Sequence, residues 1–356
     1  MKILHFAVEN FARVPGSFVR AERDLGHESL LMTLYRTHHR FGEEDICLDL
    51  PFVATRGVTW VKSLLVRKTH APSNRRRDAS AGPPVWKPSG RAAEALFALR
   101  DRIWEPRIRR ILDSIHIDRF DLLFLDGGAG FLRDGRIVRE LREKGIRVAI
   151  CYCGSDLRTR GIIPSVDRLA DVRFTVEFDH TLLDPGLEFV YFPFRLPAFP
   201  GPEPVPATPI RIGHAPTNRA VKGTDAILAE LERLRRDYPV EIVLIENLAH
   251  PEALRLKKSC HLFIDNIGEL GYGINGLESL AMGIPTAVQL LPDFEAVLGE
   301  HPFINISRET LRERLIPFVE SGVLREEYGV RGRQWVEERH DPVAVVRRML
   351  DRISAL

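Results

Sequence analysis

Short apolar runs recur along the chain, each followed by a turn and then by a stretch of helical period. Lys2–Ala7, Glu28–Thr33, Ile46–Ala54, Asp121–Asp126 and Arg147–Cys151 read as strands of the first half. Ile210–His214, Glu241–Ile245, Leu262–Asp265 and Thr286–Leu290 read as strands of the second. Such runs, with little polar alternation, suit strands covered on both faces. Between them the period becomes helical, in a segment after Pro15 that Gly26 closes, and in Gly57–Lys68, Arg91–Ile115, Phe131–Lys144, Asp225–Arg236, Ala253–Lys258 and Glu309–Ser321. A long helical tail carrying Trp335 follows. Strands alternating with helices predict parallel, doubly wound sheets, an α/β fold.

One stretch interrupts the alternation. Residues 194–209 contain Pro197, Pro200, Pro202, Pro204, Pro206 and Pro209, which exclude a helix or a central strand. The stretch reads as a semi-rigid linker between domains spanning 1–193 and 210–340. Residues 69–90, rich in Pro, Ser, Gly and Arg, read as a loop.

The chemistry gathers at strand ends, where a doubly wound sheet binds its ligands. After Leu262–Asp265 come Gly271, Gly273 and Gly276 in G-x-G-x-x-G, then a helix with Glu278 near its start, stopped by Gly283 and Pro285. A helix N-terminus with glycines before it attracts anions. Glu278 has two readings, a carboxylate for a ribose diol or an acid favoured by the helix dipole. Gly16 follows the first strand in a similar way. Asp156, in Cys153-Gly154-Ser155-Asp156, is either a site residue or a helix cap. Lys222 and Arg219, in the loop before Gly223-Thr224, either hold an anion or are solvated. That loop, which reads Lys222-Gly223-Thr224, is no P-loop, since no G-x-x-x-x precedes a Gly-Lys-Thr.

Residues 270–285, Leu-Gly-Tyr-Gly-Ile-Asn-Gly-Leu-Glu-Ser-Leu-Ala-Met-Gly-Ile-Pro, resemble the retaining GT-B glycosyltransferases of the group 1, family-four type, whose pattern is E-G-F-G-x-x-x-L-E-A-M-A-x-G-x-P. The resemblance implies two Rossmann-like doubly wound domains facing across a cleft. The first, 1–193, takes the acceptor, 210–340 binds the nucleotide sugar, and residues 341–356 cross back onto the first. Glu278 maps onto the family's ribose ligand. The first Glu of its E-x7-E pair maps onto Leu270, so Glu269, one residue earlier, is the candidate for that role. Cys153-Gly154-Ser155-Asp156-Leu157-Arg158 resembles H-G-S-D-x-R with Cys153 in place of His. Lys222 matches the Lys of a cationic pair on the pyrophosphate, and Arg219 is its candidate partner. The candidate site is therefore Asp156, Glu269, Lys222 and Arg219 for catalysis, with Gly16, Asn218, Glu246, Gly271, Tyr272, Gly273, Asn275 and Glu278 for the donor.

The implied activity is retaining transfer of a sugar from a nucleotide-sugar donor to a glycan, a lipid-linked or another cell-envelope acceptor. No cofactor or metal is expected, because cations and helix N-termini can neutralise the leaving diphosphate. No D-x-D occurs in the chain. The rivals are a non-catalytic nucleotide-sugar binding subunit, a nucleotide-sugar epimerase and a dinucleotide oxidoreductase.

Charge adds one feature. Residues 56–110 carry 14 Lys/Arg against 4 Asp/Glu, whereas the whole chain is only +2. This region suits an anionic membrane surface or a polyanionic acceptor, or else is a solvated helix beside a loop. No nucleic-acid motif accompanies it. Cys47, Cys151, Cys153 and Cys260 have no metal spacing and read as reduced thiols. With no signal peptide or long apolar run, a cytoplasmic protein is expected, peripheral on the inner membrane face if the basic region binds lipid.

Overall fold

The computed structural model describes residues 1–36, 43–51, 82–154, 156–199, 201, 206–268 and 271–356, without the side chains of Ala12 and Pro197. The expected helix 57–68, the loop up to residue 81, and Ser155, Glu269 and Leu270 lie outside them. The described residues form two compact units, one of 1–193 with 342–356 and the other of 194–341.

The first unit is a seven-stranded sheet of β1 (Lys2–Ala7), β2 (Glu28–Thr33), β3 (Ile46–Cys47), β4 (Leu122–Asp126), β5 (Arg147–Tyr152), β6 (Val172–Thr175) and β7 (Glu188–Phe189). Its order is β3-β2-β1-β4-β5-β6-β7, parallel throughout. The chain starts in the middle, winds to one edge and returns to build the other, so the winding reverses between β1 and β4. Of the expected run 46–54, residues 52–54 lie outside the described residues, and over 46–51 only Ile46–Cys47 pair. Asp49 takes a left-handed φ of 43° and Pro51 has no N–H to donate, so pairing stops. Residues alternate between two cores. Leu4, Phe6, Leu123 and Leu125 join Trp104, Ile108 and Leu112 of the helix Arg91–Ser114. Ile3, Leu122 and Phe124 join Val14 and Phe18 of the helix Val14–Asp24 and Val345, Val346, Met349, Leu350 and Ile353 of the helix Pro342–Ser354.

The second unit has β8 (Ile210–His214), β9 (Val240–Leu244), β10 (Leu262–Ile264), β11 (Thr286–Val288) and β12 (Ile304–Asn305), parallel in the order β12-β11-β10-β8-β9. Here the winding reverses between β8 and β10. The helices Thr224–Asp237, His250–Lys258, Ile274–Ala281, Leu311–Glu320 and Gly322–His340 cover it. Gly322–His340 comes close enough to Ile274–Ala281 that a Cβ on Gly329 would strike the Gly283 carbonyl. The proline-rich run is anchored at its start. Phe194 donates its N–H to the His340 carbonyl at 2.9 Å, and its ring stacks on Phe199 at 4.8 Å.

Candidate functional site

β8 and β10 end side by side at the reversal of the second sheet, and the loops that leave them carry most of the candidate residues. β10 runs into Asp265, which is buried, and the helix Ile274–Ala281 begins just after Gly273. Asp265 turns its carboxylate onto that helix start. Oδ2 accepts the Gly273 N–H at 2.6 Å, and Oδ1 lies 3.4 Å from Nζ of Lys222. A Cβ on Gly276 would sit 3.0 Å from Oδ2. One on Gly271 would sit 2.7 Å from the Phe294 ring. Two glycines of the motif are thus accounted for by close approach of the chain's own side chains. The N-terminal N–H and Lys222 make a positive mouth, with a resident carboxylate on one side of it.

The loop after β8 presents Lys222 through a short helix, Arg219–Lys222. Asn218 caps that helix, its Oδ1 accepting the Val221 N–H at 3.2 Å. Gly223 ends it at φ 67°, where a Cβ would meet the Ile267 carbonyl. Arg219 is directed elsewhere, 2.9 Å from Glu246 and 3.1 Å from Asp225, partly in solvent. Lys222 and Gly273 therefore converge on Asp265, whereas Arg219 and Glu246 pair with each other.

Glu278 faces inward in the same helix and is only 5% exposed. Both oxygens are held by residues of the helix His250–Lys258. Lys257 Nζ donates to Oε2 at 2.5 Å and His250 Nε2 to Oε1 at 2.8 Å. Lys257, 1% exposed, also donates to Oδ1 of Asn275 at 2.9 Å and lies 4.8 Å from the centre of the Phe263 ring. Asn275 in turn donates to the Ala215 carbonyl at 3.0 Å. Burial alone would raise the Glu278 pKa, but Lys257 and His250 outweigh it and hold the carboxyl below its usual range. Sequence reasoning missed Lys257 and His250. Their seven-residue spacing puts both on one helix face, the signal that was available.

Tyr272 has a different setting from the glycines beside it. Its hydroxyl lies 3.1 Å from Nε2 of His340, and its ring stacks on Phe303 at 4.7 Å and Phe294 at 5.5 Å. It ties the glycine turn to the end of the helix Gly322–His340.

The remaining candidates belong to the first unit. Asp156 accepts the N–H groups of Cys153 and Leu157 at 2.8 and 2.7 Å, holding the turn after β5. Gly16 donates its N–H to Asn10 Oδ1 at 3.1 Å, and a Cβ there would strike the Glu43 carboxylate. The first sheet also holds a cluster that sequence reasoning missed. His5, fully buried on β1, lies between Asp126 at 2.9 Å and Glu22 at 3.0 Å. Its ring stacks on Phe124 at 4.8 Å, and Ser29 donates to Glu22 at 2.5 Å.

Two parallel, doubly wound units in one chain are the architecture of the GT-B glycosyltransferases. Solved structures agree over the whole length. Sucrose-phosphate synthase from Thermosynechococcus elongatus is 12% identical with a TM-score of 0.61, covering 100% of this chain and 99% of the other. HepE from Anabaena, solved with UDP and with UDP and glucose, is 11% identical with a TM-score of 0.57, covering 100% of both. The chain spans about half the length of Staphylococcus aureus TarM, 54%, at a TM-score of 0.46. At these identities the likeness is one of fold. No family model matches the sequence, and no curated protein is significantly similar to it.

Proposed function

We propose that this chain is a glycosyltransferase that moves a sugar from a nucleotide-sugar donor bound by its second unit to a glycan or lipid-linked acceptor. The observation that carries this reading is the meeting of Lys222 and the Gly273 N–H on Asp265 where β8 and β10 end, with Glu278 in the helix that starts after Gly273. A diphosphate is drawn to the first two, and a ribose one helical turn further on reaches Oε1 of Glu278 at the half-exposed His250. Cations and a helix start stabilise a departing diphosphate without a metal. Acceptor attack on the leaving-group face gives retention. Leu270 and Cys153, which stand where the resembled family has Glu and His, favour a second reading, a nucleotide-sugar binding subunit without turnover.

Turnover and calorimetric binding with a panel of nucleotide sugars separate the two. Binding with sugar transfer is the expected result, binding alone leaves the second reading, and neither removes both. Glu278→Ala should weaken nucleoside diphosphate binding about tenfold, the worth of one charge-assisted hydrogen bond. Unchanged affinity in that variant would take the ribose role away from Glu278.

We also propose that the helix Arg91–Ser114 attaches the enzyme to an anionic membrane surface, as a lipid-linked acceptor would require. Leu96, Leu99 and Ile103 are 51%, 57% and 45% exposed, and Arg102, Arg107 and Arg110 are exposed around them. Trp104 faces inward and takes no part. Among the described residues no helix is long and apolar enough to cross a membrane. Arg75, Arg76 and Arg77 of the same basic region lie outside the described residues. Neutralising Arg102, Arg107 and Arg110 together should weaken flotation with anionic vesicles by up to about 1 kcal/mol per charge. Equal flotation with neutral and anionic vesicles would refute attachment by charge.

A further inference from the structure

Lys257 is a costly residue to bury. A lysine ammonium taken from water is retained only where several acceptors replace its hydration. Here the acceptors are Oε2 of Glu278 at 2.5 Å, Oδ1 of Asn275 at 2.9 Å and the Asn275 carbonyl at 3.3 Å. All three belong to the first turns of the helix Ile274–Ala281. The ammonium fixes the rotation of that helix start and the rotamer of Glu278 together.

The two oxygens of Glu278 are consequently different. Oε2 faces Lys257, itself 1% exposed, and no ligand reaches it without displacing the ammonium. Oε1 accepts from Nε2 of His250 at 2.8 Å, and because that side chain is 49% exposed, Oε1 is the oxygen an incoming hydroxyl reaches when the imidazole swings aside. A carboxylate so held presents one acceptor in one direction.

We propose that Lys257 is the positioning residue of the ribose site: by holding Oε2 of Glu278 it aims Oε1 at the ribose diol, and so sets the preference for ribo- over 2′-deoxyribonucleotides. This rests on Glu278 being the ribose ligand of the donor site. Without the ammonium, Glu278 is held by the half-exposed His250 alone and can change rotamer and draw in water. The hydroxyl contact then loses its fixed geometry, while diphosphate binding at Lys222 is retained.

The test is calorimetry on the full chain with UDP, GDP and ADP, followed by the 2′-deoxy form of the tightest binder. The wild type should prefer the ribonucleotide about tenfold, and Glu278→Ala should abolish the preference. Lys257→Met should reduce it to less than threefold while leaving the deoxynucleotide affinity near that of the wild type. Lys257→Gln, which keeps an amide donor, carries the same comparison if Lys257→Met does not fold, and should fall between the two. Lost stability alone would weaken both nucleotides equally and leave their ratio intact. An unchanged ratio in a folded Lys257 variant overturns the inference alone. A wild type that binds no nucleotide, or shows no preference, overturns the ribose assignment of Glu278 and the inference with it.

Discussion

Exchanging His5 for leucine should cost the protein about 3–5 kcal/mol of stability, the usual result of removing one partner from a buried ion pair. Burial by itself would lower the His5 pKa, but Glu22 and Asp126 on either side outweigh it and raise it from 6.5 to about 10. The imidazolium therefore separates two carboxylates inside an apolar shell that includes Phe18 and Phe124. Leucine fills the space and leaves both carboxylates without their cation. The pH dependence has a definite sign. A histidine whose pKa is raised on folding stabilises fully below the unfolded value of 6.5 and loses that contribution as pH climbs towards 10. Urea titrations at pH 6, 8 and 10 should show the wild-type midpoint falling across this window. For His5→Leu the midpoint should be low at pH 6 and lack this fall. Equal midpoints for both proteins at pH 6 would show that the cluster contributes nothing to stability.

Lys222→Met should lower turnover about a hundredfold, with a smaller change in nucleotide affinity. In the proposed transfer, charge grows on the diphosphate as the glycosidic bond breaks, so a fixed cation does more in the transition state than in the bound complex. Lys222 is well placed for this, mostly buried beside the Gly273 N–H with Asp265 to fix it. Arg219→Ala should lose much less, because Arg219 is partly solvated and already paired with Glu246 and Asp225. Steady-state kinetics of the two variants, with and without chelator, measure this directly. A wild-type rate in Lys222→Met moves the diphosphate site elsewhere, and loss of wild-type activity in chelator contradicts a clamp made of side chains alone.

The parallel sheets were legible in the sequence, because buried parallel strands leave unbroken apolar runs such as Leu122–Asp126 and Ile210–His214. β6 and β7 were not, since Arg173 and Glu188 interrupt runs that are already short. The glycine turn was legible as a turn, but its occupant was not: nothing local to Gly276 shows that Asp265 fills the space in front of it. Lys257 reads as a solvent-facing lysine of an amphipathic helix until Glu278, 21 residues later, is placed beside it. His5 is not singled out in the sequence because its partners lie 17 and 121 residues away. Charge pairs closed by the tertiary fold leave no periodicity to find.

The return of Pro342–Ser354 to the first unit has a consequence for synthesis. The ribosome delivers all of 194–341 before that helix, so the second unit can complete itself while the first still lacks a wall. At 5–20 residues per second the delay is roughly 7–30 s. Throughout it, the nascent sheet face bearing Ile3, Leu122 and Phe124 waits for Val345, Met349 and Ile353. The first sheet is therefore covered on this face only after the whole of the second unit has been made, although its strands precede that unit in the chain.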